Sequence, residues 1–288
     1  MKMTKRLEVP QMTSAERLCR HAPNVLVPEK KSSLEVFPVL DATETFKIIE
    51  YCKSMAPLEA GGYIAASGEF VPCVNIHSEP ENYFLFADVP ADVLAIIHSH
   101  PGGPFCATES DQRGQMGWGI PWAIVAFDGD RTEFFWFGDE AEPLPLIGRG
   151  FRHYSADCYR AIRDAYRFEC GLELGEWPRE WKWWLGDKAL YNHGFSFEGF
   201  HEIPTAEARP GDAVLMSIKS KTPNHAALWL GSGLIYHHMS GKTESEPGRL
   251  STVEYSGDWQ RFIVKALRNE DDRINRTFGQ KIRALVSL

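Results

Sequence analysis

The sequence predicts an α+β protein built from two successive units, and three observations carry that expectation. The chain has 288 residues, about twice the common single-domain length. Short β-type runs bounded by Gly, Pro, Asn and Asp alternate with helix-like stretches in both halves. Between the halves, Gly138 to Arg149 carries Asp139, Glu140 and Glu142 with Pro143 and Pro145, the composition of a domain edge.

In chain order, residues 1–34 read as a basic, poorly ordered arm. The first unit is expected over 35–140. It opens with a helix from Ala42 to Met55, where Phe46, Ile48, Ile49 and Tyr51 repeat at helical spacing and Pro57 forces a stop. Strands follow at Tyr63, at Phe70 and at Val93–Ile97, which ends on His98. After the turn at Pro101 a helix starts near Thr108, then strands over Trp122–Phe127 and Thr132–Phe137. The second unit is expected over 141–268, with a helix from Asp157 to Cys170, a Trp-rich loop, a helix near Asp187–Gly194 and strands at Ala213, Ala226 and Leu234. A helical tail over 269–288 closes the chain.

Composition narrows the function classes. With 31 Lys+Arg against 39 Asp+Glu the net charge is −8, which argues against a general nucleic-acid binder, because phosphate affinity rests on clustered positive charge. The longest candidate apolar run, Val93–Ile97, is far too short to span a membrane, and no secretory signal follows Lys2, Lys5 and Arg6. A cytoplasmically made chain is therefore expected. Six sparse cysteines (Cys19, Cys52, Cys73, Cys106, Cys158 and Cys170) lack paired spacing, so reduced thiols are expected.

His98-Ser-His100 ends an apolar strand, and residues two apart on a strand share a face, so both imidazoles can grip one ion. Thr108 is a good N-cap and places Asp111 in the first turn of the next helix, near that strand end. Two histidines and a carboxylate leave the fourth position of a tetrahedral Zn2+ for water, and Glu59 is the candidate base. A bare His-x-His is more often a chance pair. With Glu-x-Gly-Gly upstream and Thr and Asp downstream, however, the pattern resembles the JAMM (MPN or Mov34) metallopeptidase signature. That resemblance implies zinc ligation by His98, His100 and Asp111, catalysis by Glu59 and oxyanion assistance from Thr108.

In the second half Asp157-Cys158 opens a helix, whose N-terminus favours a thiolate. His225 begins a β-type run and His237 follows twelve residues later, so both can face each other on a hairpin. Alone, Cys158 would more often be a buried helix cysteine. Together with Arg209-Pro-Gly-Asp212, Asn224-His-Ala-Ala-Leu-Trp-Leu-Gly and Ile235-Tyr-His, the set resembles the NlpC-type cysteine peptidases, papain-like enzymes of cell-wall turnover. The implied roles are Cys158 nucleophile, His225 base and His237 orienter of the base; spacing favours His237 over His238. Many such enzymes place an oxyanion-assisting Tyr upstream of the Cys, where this chain has Phe151, with Tyr154 closer. His153 reads as a loop hydrogen bonder, and Trp181, Trp183 and Trp184 as core anchors or a sugar-stacking platform.

A JAMM-type mixed α/β domain followed by a papain-like NlpC-type domain resembles the tail tip assembly proteins of lambda-like phages, on HSHPGGP, DCYRAIRDAY, RPGDAVLM and NHAALWLG. The resemblance implies a peptidase with a zinc site and a Cys/His site, partners among peptidoglycan stem peptides and other tail tip proteins, and a place at the virion tail tip acting on the bacterial cell wall. Two other readings stay open: a structural tail-tip adaptor with vestigial modules, and an isopeptidase for a ubiquitin-like protein.

Overall fold

The computed structural model describes residues 40–286 except 87–88, 139–140, 142, 187–189 and 244–247. The expected basic arm, with Cys19, lies outside the described residues.

The first helix, α1 (Ala42–Ser54), starts where Asp41 accepts a hydrogen bond from the Glu44 amide and buries Ile48 and Cys52, four apart on one face. Strands β1 (Gly61–Ile64), β2 (Phe70–Cys73), β3 (Ala95–Pro101), β4 (Trp122–Asp128) and β5 (Arg131–Phe137) form one sheet in the order β2-β1-β3-β4-β5. Helix α2 (Glu109–Trp118) links β3 to β4, which run parallel as such a crossover allows; the other neighbours are antiparallel. Both faces of this sheet are covered. Trp122, Ile124 and Ala126 pack with Met116, Phe105 and Phe137 beside α2, while Ala123 and Val125 pack with Ile97, Ile64 and Ile48 beneath α1. Burial on both faces explains why Ala95-Ile-Ile reads as an unbroken apolar run.

The second half places α3 (Cys158–Cys170) and α4 (Leu190–Phe197) with an antiparallel sheet of β6 (Phe200–Ile203), β7 (Ala213–Met216), β8 (His225–Gly231), β9 (Leu234–His237), β10 (Thr252–Tyr255) and β11 (Ile263–Asn269). The strand order is β10-β9-β8-β7-β11-β6. Ile162 and Tyr166 of α3 pack on Leu215, Leu228 and Tyr236 of the sheet. The RPGD turn is a structural clamp. Asp212 accepts from the Arg209 amide and from the Arg268 guanidinium, and Gly211 adopts φ +93°, where a Cβ would meet Ile274 at 2.4 Å.

Three strands differ from the sequence expectation. β6, β10 and β11 were not anticipated, because Phe200-His-Glu-Ile and Thr252-Val-Glu-Tyr carry too few apolar residues to declare themselves without their partners. The expected helix from Asn269 is confined to α5 (Gln280–Leu285), since Asn269 ends β11, where it pairs with Phe200. Phe278 and Ile282 nonetheless belong to the second core.

Candidate functional site

Two clusters assemble. In the first, Gly61 of β1 pairs opposite His98 of β3, and a Cβ at Gly61 would lie 2.1 Å from the Ile97 carbonyl oxygen, so glycine is what lets β1 close on the histidine strand. Two residues earlier, Glu59 is held by its backbone: its amide donates to the Pro80 carbonyl (2.7 Å), its carbonyl accepts from Asn75 (2.9 Å), and the next amide, of Ala60, donates to Ser99 Oγ (2.9 Å). His98 and His100 face each other through their Nε2 atoms at 3.1 Å, and these lie 3.1 and 3.4 Å from the two oxygens of Asp111. His100 Nδ1 faces the Pro104 carbonyl at 2.9 Å, which fixes Nδ1–H as donor and turns the Nε2 lone pair inward.

Thr108 caps α2 in a capping box with Asp111. Its hydroxyl donates to Asp111 Oδ2 (2.6 Å), as does its amide (2.7 Å). Thr108 therefore aims Asp111, and its proton is committed to that carboxylate.

The electrostatics suit a cation. Burial works to raise the Asp111 pKa, but His98 and His100 hold it well below the usual carboxylate range. Burial works to lower the His100 pKa, but Asp111 and Glu59 outweigh it and hold it up. Burial pushes the Glu59 carboxyl up, against the pull of the two histidines. The ligand atoms of His98, His100 and Asp111 lie within 4.8 Å of one another, and imidazole nitrogens with a carboxylate are donors that suit zinc.

In the second cluster Asp157 caps α3 and Cys158 is the first helical residue. The Asp157 carboxylate is saturated: it accepts from the Arg160 amide (2.8 Å), the Tyr154 amide (3.1 Å) and both Arg179 Nε (2.6 Å) and Nη2 (3.1 Å). His225 Nε2 lies 3.1 Å from His237 Nδ1 across the β8–β9 hairpin, and His237 Nε2 lies 3.5 Å from Glu254. Trp259 stacks edge-on against His237 at 4.5 Å and donates its indole N–H to Glu254 (2.8 Å). His238 packs instead against Phe151, 5.2 Å between rings.

A cleft of about 400 Å³ is lined by Cys158, His225, Tyr191, Trp181, Trp184 and Lys219, among others. A larger cavity, of about 1170 Å³, lies between the two halves and holds none of the candidate residues. The expected acidic thiol is not what the structure holds. Burial and the Asp157 carboxylate push Cys158 up to about 11, outweighing the lowering by Tyr191, the Ala226 amide and Arg179. Burial, with His237 and His238, lowers His225 well below its ordinary value, so the pair at rest is a neutral thiol and a neutral imidazole.

The sequence reading missed three residues. Tyr191, on α4, puts its hydroxyl 2.8 Å from Cys158 Sγ. Glu254 reaches His237 through β10–β9 pairing, and Arg179 comes from the Trp-rich loop. None has a fixed spacing to its partner, so no local motif announces them. Of the tryptophans, Trp183 packs on Tyr191 (4.7 Å) and Trp177 on Tyr159 (3.7 Å), and Trp181, Trp183 and Trp184 all line the cleft. His153 donates to the Arg179 carbonyl (2.8 Å).

The fold and the Cys/His cleft define a protein with an NlpC/P60 domain: residues 131–268 match the NlpC/P60 family. Tail tip assembly protein K of Escherichia phage lambda is 36% identical over 184 residues, covering 63% of this chain and 84% of that protein. The protein K of Escherichia phage N15 is 28% identical over 243 residues, covering 79% and 95%. The chain belongs to the tail tip assembly protein K family. A solved structure described as similar to a lipoprotein of the NLP/P60 family, from Staphylococcus aureus, aligns with a TM-score of 0.31 and 17% identity over 44% of this chain and 38% of that one. No helix among the described residues is long and apolar enough to cross a membrane.

Proposed function

We propose that this chain is a phage or prophage tail tip protein with two amide-hydrolysing sites, a Cys/His peptidase directed at peptidoglycan stem peptides and a zinc peptidase. The observation that carries the first is the cleft that assembles Cys158 at a capped helix end with His225 backed by His237. Its tail tip partners, its synthesis in the host cytoplasm and its action at the cell wall follow from the same reading.

At the cysteine site His225 Nε2 is occupied by His237, which leaves Nδ1 as the ring nitrogen to exchange protons with Cys158. Because both groups are neutral at rest, the thiol proton passes to His225 as sulfur attacks the carbonyl, and His225 then protonates the leaving amine. His237 holds the imidazole in one orientation, and Trp259 keeps water from that pair.

At the other site His98, His100 and Asp111 are the residues that would hold zinc, and a bound zinc supplies a Lewis acid and an acidified water. Glu59 receives a proton at its carboxylate and passes it to the departing nitrogen, a role suited to a carboxyl raised by burial. Thr108 fixes the Asp111 rotamer.

The deciding experiment is turnover of purified peptidoglycan by the wild-type, Cys158→Ala and His98→Ala proteins. Loss in Cys158→Ala alone assigns cell-wall cleavage to the cysteine site. Loss in His98→Ala alone assigns it to the zinc site. No cleavage by wild type sinks the cell-wall reading and favours the structural adaptor.

A further inference from the structure

We infer that Tyr191 is a catalytic residue of the cysteine site: its phenol donates a hydrogen bond to the Cys158 sulfur at rest and to the carbonyl oxygen once sulfur has attacked. This rests on the peptidase reading of that site. The position expected to serve the oxyanion upstream of the nucleophile is Phe151, which has no donor and packs against His238. Tyr154, the nearer alternative, turns into the first core against Phe137 and beneath Arg179. Tyr191 alone among these three touches the nucleophile, at 2.8 Å.

The hydroxyl is placed rather than passing by. The ring is buried, wedged edge-on against Trp183 (4.7 Å) and Phe195 (5.9 Å), so its O–H is delivered by packing and needs no reorganisation. Burial and the neighbouring thiol keep the phenol far above its ordinary pKa, so it stays a donor throughout. The groups that bear on the sulfur are Asp157, Arg179, Tyr191 and the Ala226 amide, and of these side chains Asp157 and Arg179 are spent on each other.

The S–C bond forms while the carbonyl π pair moves to oxygen, where the Tyr191 O–H meets it, and the thiol proton goes to His225 Nδ1. Collapse restores the carbonyl, breaks C–N, and returns that proton to the amine. Water then adds to the thioester, giving its proton to His225; C–S breaks and sulfur recovers the proton. Tyr191 keeps its own proton in every step.

The test uses the full chain as wild type, Cys158→Ala, Tyr191→Phe, and a protein carrying a fluorinated tyrosine at position 191. Turnover of peptidoglycan is measured beside iodoacetamide labelling of Cys158 at pH 8, read by peptide mapping. Tyr191→Phe keeps the ring packing and is expected to lower kcat by roughly 100-fold or more with KM within about threefold. It should also slow Cys158 labelling, while the fluorinated tyrosine, a stronger donor, keeps turnover and speeds labelling above the wild-type rate. In Tyr191→Phe, turnover within about threefold of wild type, or labelling that is unchanged or faster because the sulfur is merely uncovered, overturns the assignment. If Tyr191→Phe does not fold, the fluorinated protein decides: a shifted labelling rate upholds the contact and an unshifted one refutes it. If wild type cleaves nothing, the peptidase reading falls, and slowed or unslowed labelling still upholds or refutes Tyr191 as the donor to the sulfur.

Discussion

His98 and His100 meet Asp111 because three residues that ligate nothing arrange it: Gly61 lets β1 approach, Ser99 ties down the Glu59 segment, and Thr108 aims the carboxylate. Since among the described residues three side chains converge, and Glu59 is proposed as the base, the protein purified without added metal should carry close to one zinc per chain. Metal analysis should show that zinc falling sharply in His100→Ala and Asp111→Ala but staying in Glu59→Gln; undiminished zinc in the first two would end the assignment. Thr108→Ala removes the N-cap and the hydroxyl that orients a ligand. It should cost about 1 kcal/mol of stability and weaken zinc affinity roughly 10- to 100-fold, whereas Thr108→Ser keeps both. Competition with a chromogenic chelator measures this, and equal affinity of Ala and Ser variants would show that the cap does not position Asp111.

The element that concentrates the chemistry of the second half is α3, whose residues are buried nearly all round, charges included. Arg149 pairs with Asp164 (2.6 Å) and Arg163 with Glu176 (2.6 Å), as buried ions must. Its start depends on Asp157, which Arg179 and neighbouring groups hold below the ordinary carboxylate value despite burial. A depressed carboxylate contributes stability that is present above the unfolded value, about 3.9, and lost as pH falls through the lower folded one. The histidines act earlier. Burial lowers His237 and His238 to about 4, so the unfolded chain takes up protons first, and stability should decline as pH falls from about 6.5 to about 4. Urea unfolding at stepped pH should show this decline, and His238→Leu should flatten part of it; a flat profile from pH 7 to about 4 would contradict the neutral buried state. The sequence made α3, the hairpin histidines and the convergence of His98, His100 and Asp111 readable because each is carried by local spacing: a cap before a helix, two residues on a strand, a turn between strands. Tyr191, Glu254 and Arg179 were not readable, because each reaches its partner through packing between distant segments. The charge state of Cys158 was misread for a related reason: burial and the Asp157 carboxylate, which only the packed structure shows, outweigh what Tyr191, the Ala226 amide and Arg179 do to favour a thiolate.

At the scale of the whole molecule, the two sites are joined by a short mechanical path. Gln112, the residue after the candidate ligand Asp111, is fully buried on α2, and its side chain grips the backbone of Arg179 at both groups: the Arg179 amide donates to Oε1 (2.7 Å) and Nε2 donates to the Arg179 carbonyl (3.0 Å). The Arg179 guanidinium then holds Asp157, the cap of the helix that begins with Cys158. Arg152 pairs with Glu133, Arg160 donates to the Gly138 carbonyl (2.9 Å), and Tyr154 enters the first core, so the boundary proposed near residue 140 is crossed by contacts on several sides. Gln112→Ala leaves the buried Arg179 N–H without its partner and takes one of two donors from the Arg179 C=O, which keeps His153. An orphaned buried group costs about 1–3 kcal/mol, and the variant should lose about that much. Because the lost contacts join the halves, the effect should exceed simple destabilisation of α2: urea unfolding, expected as one transition in wild type, should split or broaden in Gln112→Ala, with the second half melting first. Gln112→Glu at neutral pH should also destabilise, since its carboxylate can accept from the Arg179 amide but sets a buried charged oxygen, in place of a donor, against the Arg179 carbonyl. A Gln112→Ala protein with the wild-type midpoint and slope would show that the two sheets are held by their other contacts and that the amide clamp carries no coupling between the sites.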